Sequence, residues 1–242
     1  MPRLYCDLPL TPGDQVSLPA GAARHVQVLR LQPGDSLTLF DGRGGEYDAR
    51  VEHMGRQEVR VQVGPHHPIE REAPVAVHLV AGMPANERMD WLVEKATELG
   101  VQRLTPVMTE RSVLRLQGDR AEKKLAHWHS VVVAASEQCG RNRLMTIEPV
   151  CTLTHWLRDL APAAPQVRAV LSLSPSAQSL GSLLAQQARA TPWLLVSGPE
   201  GGLSAEEEAS LVHHGLWPVS LGTRVLRAET AAIAAVTRLA LS

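Results

Sequence analysis

Cysteine is scarce in this 242-residue chain, and the three present, Cys6, Cys139 and Cys151, are far apart and lack any Cys-x-x-Cys spacing. That pattern excludes a disulfide framework and a cysteine-rich zinc centre together, leaving three thiols expected to be buried or partly buried. Aromatic residues make up only 3%, too few for the stacking platforms on which several RNA modules splay single-stranded bases. No stretch approaches the about 18 consecutive apolar residues of a membrane span. The first residues, Met1-Pro2-Arg3-Leu4-Tyr5-Cys6-Asp7, hold no long apolar segment of a secretory signal. A cytoplasmic protein with no membrane partner is expected.

An excess of charge is also missing: 24 basic side chains face 25 acidic ones, so nothing global announces a nucleic-acid partner. What is present is local. Arg103, Arg111, Arg115, Arg120, Lys123, Lys124, Arg141 and Arg143 share one stretch with only Glu110, Asp119, Glu122 and Glu137, a candidate phosphate-facing patch. Lysine occurs only at 95, 123 and 124, so arginine supplies 21 of the 24 cations, and its planar fork suits bidentate contact with phosphate or base. The bulk composition, 44% apolar and 20% charged, is that of a globular chain. At this length about 70% of the open chain's surface can be buried, enough for a core without staples.

Up to about Gly64 polar and apolar residues alternate, as in Ser36-Leu37-Thr38-Leu39-Phe40 and Glu58-Val59-Arg60-Val61-Gln62-Val63, with breaks at Asp41-Gly42-Arg43-Gly44-Gly45 and Gly55. This predicts short antiparallel strands closing as a small β-barrel or sandwich. Pro65 to Pro74 carries three prolines and no apolar period and is expected to be a linker, its His66-His67 pair exposed rather than metal-bound.

Beyond it, strand-like apolar runs at Val75–Val80, Leu104–Val107, Val167–Leu173, Trp193–Ser197 and Trp217–Leu221 alternate with helical patterns. The helices are expected around Met89–Leu99, over Asp119–Cys139, and around Ser179–Arg189, Ser204–His214 and Thr230–Leu241. Such alternation predicts a mainly parallel sheet covered on both faces.

Two strand-to-helix junctions carry chemistry. Ser197-Gly198-Pro199-Glu200-Gly201-Gly202-Leu203-Ser204 lets backbone approach a ligand, and Ser204 with Glu207 has the spacing of a capping box. It is no Walker loop, no Gly-x-Gly-x-x-Gly fingerprint and no nucleophile elbow. Leu221-Gly222-Thr223-Arg224-Val225-Leu226-Arg227-Ala228-Glu229-Thr230 places a cation, a carboxylate and a hydroxyl at a second junction. Ligands of open α/β sheets bind at such strand ends.

These two segments, together with Lys95-Ala96-Thr97-Glu98-Leu99-Gly100-Val101, Glu110-Arg111-Ser112, Glu137-Gln138-Cys139-Gly140-Arg141-Asn142-Arg143, Val28-Leu29-Arg30 and Phe40-Asp41-Gly42, resemble the signatures of the RsmE family of 16S ribosomal RNA uridine methyltransferases. The resemblance spans nearly the whole chain in order and departs near Arg24-His25, where family members carry histidine one position earlier.

It implies a PUA-like, rRNA-binding β-barrel over residues 1–70 and a SPOUT methyltransferase domain over 75–242, an α/β unit with a parallel sheet and a deep trefoil knot. It further implies a homodimer with S-adenosylmethionine bound at the subunit interface, no metal, and N3 of one uridine of 16S rRNA as the acceptor, within the small ribosomal subunit.

On this resemblance Leu173, Pro175, Gly198, Pro199, Glu200, Gly201, Gly202, Leu221, Gly222, Val225, Leu226, Arg227 and Thr230 are expected to hold the cofactor. Arg24, Arg30, Arg111, Arg141, Asn142 and Arg143 are expected to meet RNA. Methylating an imide nitrogen requires loss of its proton and neutralisation of charge on O2 and O4. Arg227 is the expected anion stabiliser. Glu229 is the expected proton acceptor, or the group that orients Arg227, or an electrostatic partner of the cationic donor. The competing expectations are a related enzyme acting on another nucleotide, a non-catalytic RNA-binding factor and a plain hydrolase.

Overall fold

The computed structural model describes residues 1–56, 58–85, 87–161, 166–188 and 190–241. The chain divides into two compact units, Met1–Glu72 with Val133–Leu144, and Ala73–Val132 with Met145–Ser242.

The first unit contains β1 (Arg3–Tyr5), β2 (Gln15–Ser17), α1 (Ala20–Val28), β3 (Ser36–Phe40), β4 (Glu46–Met54) and β5 (Val59–His67). The strands form one sheet in the order β1-β3-β4-β5-β2. On β5 Val59, Val61 and Val63 are buried while Arg60 is exposed, the period of two read from the sequence. Register shifts between β4 and β5 at Tyr47/Ala49 and Val51/His53 bend the pair around this core.

Three features differ from the all-antiparallel expectation. β1 pairs with β3 in parallel. Ala20–Val28 is a helix, its Ala22, Ala23 and Val26 at helical spacing against the barrel core. His66 and His67 extend β5 instead of starting a linker; His67 Nε2 lies 2.9 Å from Asp48 and His66 packs on the Tyr47 ring.

The second unit runs β6 (Val77–Gly82), α2 (Glu87–Glu98), β7 (Arg103–Met108), α3 (Asp119–Cys139), β8 (Thr146–Ile147), β9 (Cys151–Thr152), α4 (Leu153–Arg158) and β10 (Val167–Leu171). It continues with β11 (Gln178–Ser179), α5 (Leu180–Ala185), β12 (Trp193–Ser197), α6 (Ala205–His213), β13 (Trp217–Ser220) and α7 (Ala228–Ala240). The sheet order is β11-β13-β10-β12-β6-β7-β8, with β9 also on β7, and every pairing is parallel. All five residues of β12 are buried, which a parallel strand covered on both faces requires.

The five apolar runs read from the sequence are β6, β7, β10, β12 and β13. The short β8, β9, β11 and α4 carry too few residues to show a period. α5 stops at Ala185, and Arg189, the expected end of that helix, lies outside the described residues. α3 occupies its expected span, and its residues from Val133 onward are counted with the first unit. Among the described residues no helix is long and apolar enough to cross a membrane.

Candidate active site

Strand order decides which loops meet. β10 lies between β13 and β12, so the carboxyl ends of three neighbouring strands release Ser172-Leu173, Ser197–Leu203 and Leu221–Leu226 side by side. They enclose a cavity of about 390 Å³, within the size range of small-ligand sites. Leu173, Gly198, Pro199, Glu200, Gly201, Gly202, Leu221, Gly222, Val225 and Leu226 line it; Pro175, Arg227 and Thr230 do not. Leu173 and Val225 are 73% and 77% exposed, apolar side chains held open at a cavity of otherwise backbone-rich walls.

The loop after β12 is fixed from three directions. Ser204 caps α6 through a capping box: its Oγ accepts from Glu207 N–H, and Glu207 Oε2 accepts from Ser204 N–H at 3.0 Å. Glu207 Oε1 accepts from the backbone N–H of Glu110, tying the helix start to the segment after β7. Glu200 accepts from Ala85 N–H at 2.9 Å and from Arg88 at 3.2 Å, tying the loop to the segment after β6.

Two glycines permit the approach. A Cβ on Gly82 would stand 2.6 Å from Pro199 Cδ and 2.7 Å from its nitrogen, and one on Gly201 would stand 2.9 Å from Arg111 Cβ. The Gly82 contact was invisible in the sequence, where Gly82 and Pro199 lie far apart.

Arg227 is the N-cap residue of α7, is exposed, and its side chain forms no hydrogen bond or ion pair with the described residues. Glu229 is buried in the first turn of the same helix. Its Oε1 lies 3.8 Å from Arg88 Nε, and its Oε2 has no partner among the described residues. The cation beside Glu229 is thus Arg88, which the sequence reading did not single out. Ser172 and Glu208 were likewise missed; both line the cavity, and the Ser172 hydroxyl donates to Glu208 Oε1 at 2.5 Å.

The expected RNA-binding residues divide. Arg24 and Arg30 are exposed on the first unit, and Arg111 is at the cavity, donating to Gly201 O at 3.1 Å. Arg141 and Asn142 do not offer themselves to RNA, being 2% and 0% exposed. Arg141 grips Glu72 with two nitrogens, and Asn142 joins Arg3, Glu46 and the Ile69 carbonyl. Arg143 is exposed but paired with Glu70 at 3.0 Å.

Sequence reading could not separate these arginines because their acidic partners lie about 70 positions away in the connector. Hydrogen bonds from Arg71, foremost, and from Asn142 and Arg3 pull the Glu46 carboxyl down to about 2. Residues 70–72, expected to be part of a loose linker, are therefore pinned by ion pairs.

Residues 71–240 match the RNA methyltransferase domain family and residues 18–64 the RNA methyltransferase PUA domain family. A parallel sheet with a ligand-sized cavity between glycine loops, joined to a PUA domain, is an RNA methyltransferase.

The ribosomal RNA small subunit methyltransferase E of Mycobacterium bovis is 33% identical over 210 residues, covering 86% of this chain and 79% of that one. The Neisseria gonorrhoeae protein of that name, solved with S-adenosylmethionine bound, is 31% identical with a TM-score of 0.89 over 99% of this chain and 96% of that one. A Legionella pneumophila protein solved with the same cofactor is 35% identical with a TM-score of 0.90, covering 98% of this chain and 96% of that one. The chain belongs to the family of ribosomal RNA small subunit methyltransferases E, the RsmE family.

Proposed function

We propose that this protein transfers a methyl group from S-adenosylmethionine to N3 of one uridine in the decoding region of 16S rRNA, in the cytoplasm, with the small ribosomal subunit as substrate. The observation that carries this reading is the cavity shared by the ends of β10, β12 and β13, whose backbone-rich walls and two apolar lids suit a nucleoside. When bound, the cofactor supplies a methyl group already activated on a sulfonium, so the chain's residues need only bind, orient and manage one proton.

Leu173 and Val225 cover the cavity mouth, while Leu221, Gly222 and Leu226 offer backbone donors and acceptors to the base and ribose. Arg227 stabilises negative charge on O2 and O4 of the uridine. Glu229 takes the N3 proton, a role supported by its unpartnered buried oxygen. Thr230 follows in the same turn. A homodimer belongs to this reading, because Arg227 and Thr230 are exposed beside the cavity rather than in it, and a second copy would bring its uridine-side wall to them.

The trefoil knot of the SPOUT class belongs to this reading too. Residues 1–70 serve as the RNA-binding barrel through Arg24 and Arg30, and residues 75–242 as the catalytic domain.

The test is labelled methyl transfer to small subunits lacking the modification, followed by mass-spectrometric mapping. The expected label is N3-methyluridine at a single site. Label on another base or on transfer RNA, or no label at all, would overturn it.

A further inference from the structure

Two carboxylates stand on the cavity wall, and their charges are treated differently. Glu200 is neutralised by the Arg88 guanidinium and the Ala85 N–H. Glu208, in the first turn of α6, forms no ion pair with any described residue; the one hydrogen bond to its carboxylate among them comes from the neutral hydroxyl of Ser172. Ser172 is 7% exposed and held by its own N–H on the Val219 carbonyl. Its oxygen already accepts the Ser174 N–H at 2.9 Å, so its single hydroxyl proton is the one given to Glu208.

Glu208 therefore presents to the cavity a carboxylate that no cation pairs with among the described residues. Two arginines line the same cavity without pairing with Glu208: Arg111 donates to the Gly201 carbonyl, and Arg224 is exposed. A neutral ligand gains nothing from such a charge, and a cationic one does. The methyl donor and its demethylated product have the same adenosine and the same amino-acid end. They differ in one methyl group and in the charge at sulfur: a sulfonium before transfer, a neutral thioether after it.

We propose that Glu208, held by Ser172, discriminates the charged methyl donor from its neutral product, and so favours exchange of spent cofactor for fresh. The proposal rests on the cofactor reading above, and it makes Glu208 a specificity-determining residue rather than a participant in methyl transfer.

Isothermal titration calorimetry of the full chain with S-adenosylmethionine and with S-adenosylhomocysteine tests it. Glu208→Gln keeps the shape and the Ser172 hydrogen bond while removing the charge; Glu208→Leu, a good helix former, is the second uncharged variant should Gln fold poorly. The wild-type protein is expected to prefer the sulfonium compound. Each variant is expected to bind it about tenfold more weakly while its affinity for the thioether changes by less than about twofold. Equal weakening of both compounds, or no change in either, would overturn the proposal while leaving the cofactor reading intact. A wild-type protein that binds neither compound would overturn the cofactor reading itself.

Discussion

Arg227 and Glu229 lie two residues apart at one helix start, yet their surroundings differ. Arg227 is exposed and unpaired; Glu229 is buried with one oxygen beside Arg88 and the other without a partner. Removing an exposed, unpaired side chain changes stability by about 0.5 kcal/mol or less. Removing a group that holds developing charge costs about a hundredfold or more in rate. Arg227→Ala is therefore expected to melt within a degree or two of the wild type and bind the cofactor, yet lose methyl transfer; wild-type turnover on ribosomal substrate would remove Arg227 from the chemistry. Gly82 is the converse, a residue with no side chain whose replacement is expected to be felt in the cavity. The added Cβ of Gly82→Ala meets backbone of Gly198 and Pro199, not the end of a flexible side chain. The loop must move, at a cost of about 1–3 kcal/mol, and both the melting temperature and cofactor affinity should fall together.

Elements divide the work between support and exposure. α6 holds its loop through its first turn: Ser204 and Glu207 satisfy each other's backbone donors, and Glu207 reaches Glu110 as well. Ser204→Ala removes the acceptor for Glu207 N–H and is expected to cost about 1 kcal/mol, measurable by denaturant unfolding. The effect on cofactor binding should be smaller than for Gly82→Ala, because Glu207 still accepts from Ser204 N–H and Glu110 N–H. This capping box was readable at sequence level because it depends on residues three apart. α7 has no such side-chain cap, Arg227 standing where Ser204 stands in α6. A helix start left uncapped keeps its first N–H groups available to a ligand or a partner.

On the scale of the whole molecule, the first unit closes on a charged cluster of Arg3, Glu46, Arg71 and Asn142, with Arg141–Glu72 and Arg143–Glu70 beside it. Glu46 titrates at about 2 in the folded chain against an ordinary 4.5. A depressed carboxylate contributes stability that is complete above the unfolded value and is lost as pH falls through the folded one. Unfolding free energy is therefore expected to decline between about pH 5 and pH 2, and Glu46→Gln to be less stable at neutral pH and flatter across that window. A variant with the wild-type slope would show that Glu46 is not the group responsible. The same cluster explains why the arginine-rich stretch misled. Arg141 belonged to the candidate phosphate patch and Asn142 was expected to meet RNA on the family resemblance, and their burial makes both structural.

What the sequence by itself determined was local. The period of two along Val59, Val61 and Val63, the apolar runs of the parallel strands, the 21 residues of α3 and the Ser204–Glu207 cap each follow from spacing within a few positions. The helix Ala20–Val28 escaped because alanines at helical spacing among alternating strands carry too little apolar signal. Tertiary structure alone decided which segments meet. β10 came to lie between β12 and β13, Gly82 under Pro199, Arg88 beside Glu229, Ser172 against Glu208, and Arg141 on Glu72 of the connector. Periodicity is a one-dimensional property that burial of a single face imposes on neighbours in sequence. Strand order and the pairing of charges far apart in the chain arise only when the whole core closes, and the cavity exists only where three such strand ends fall together.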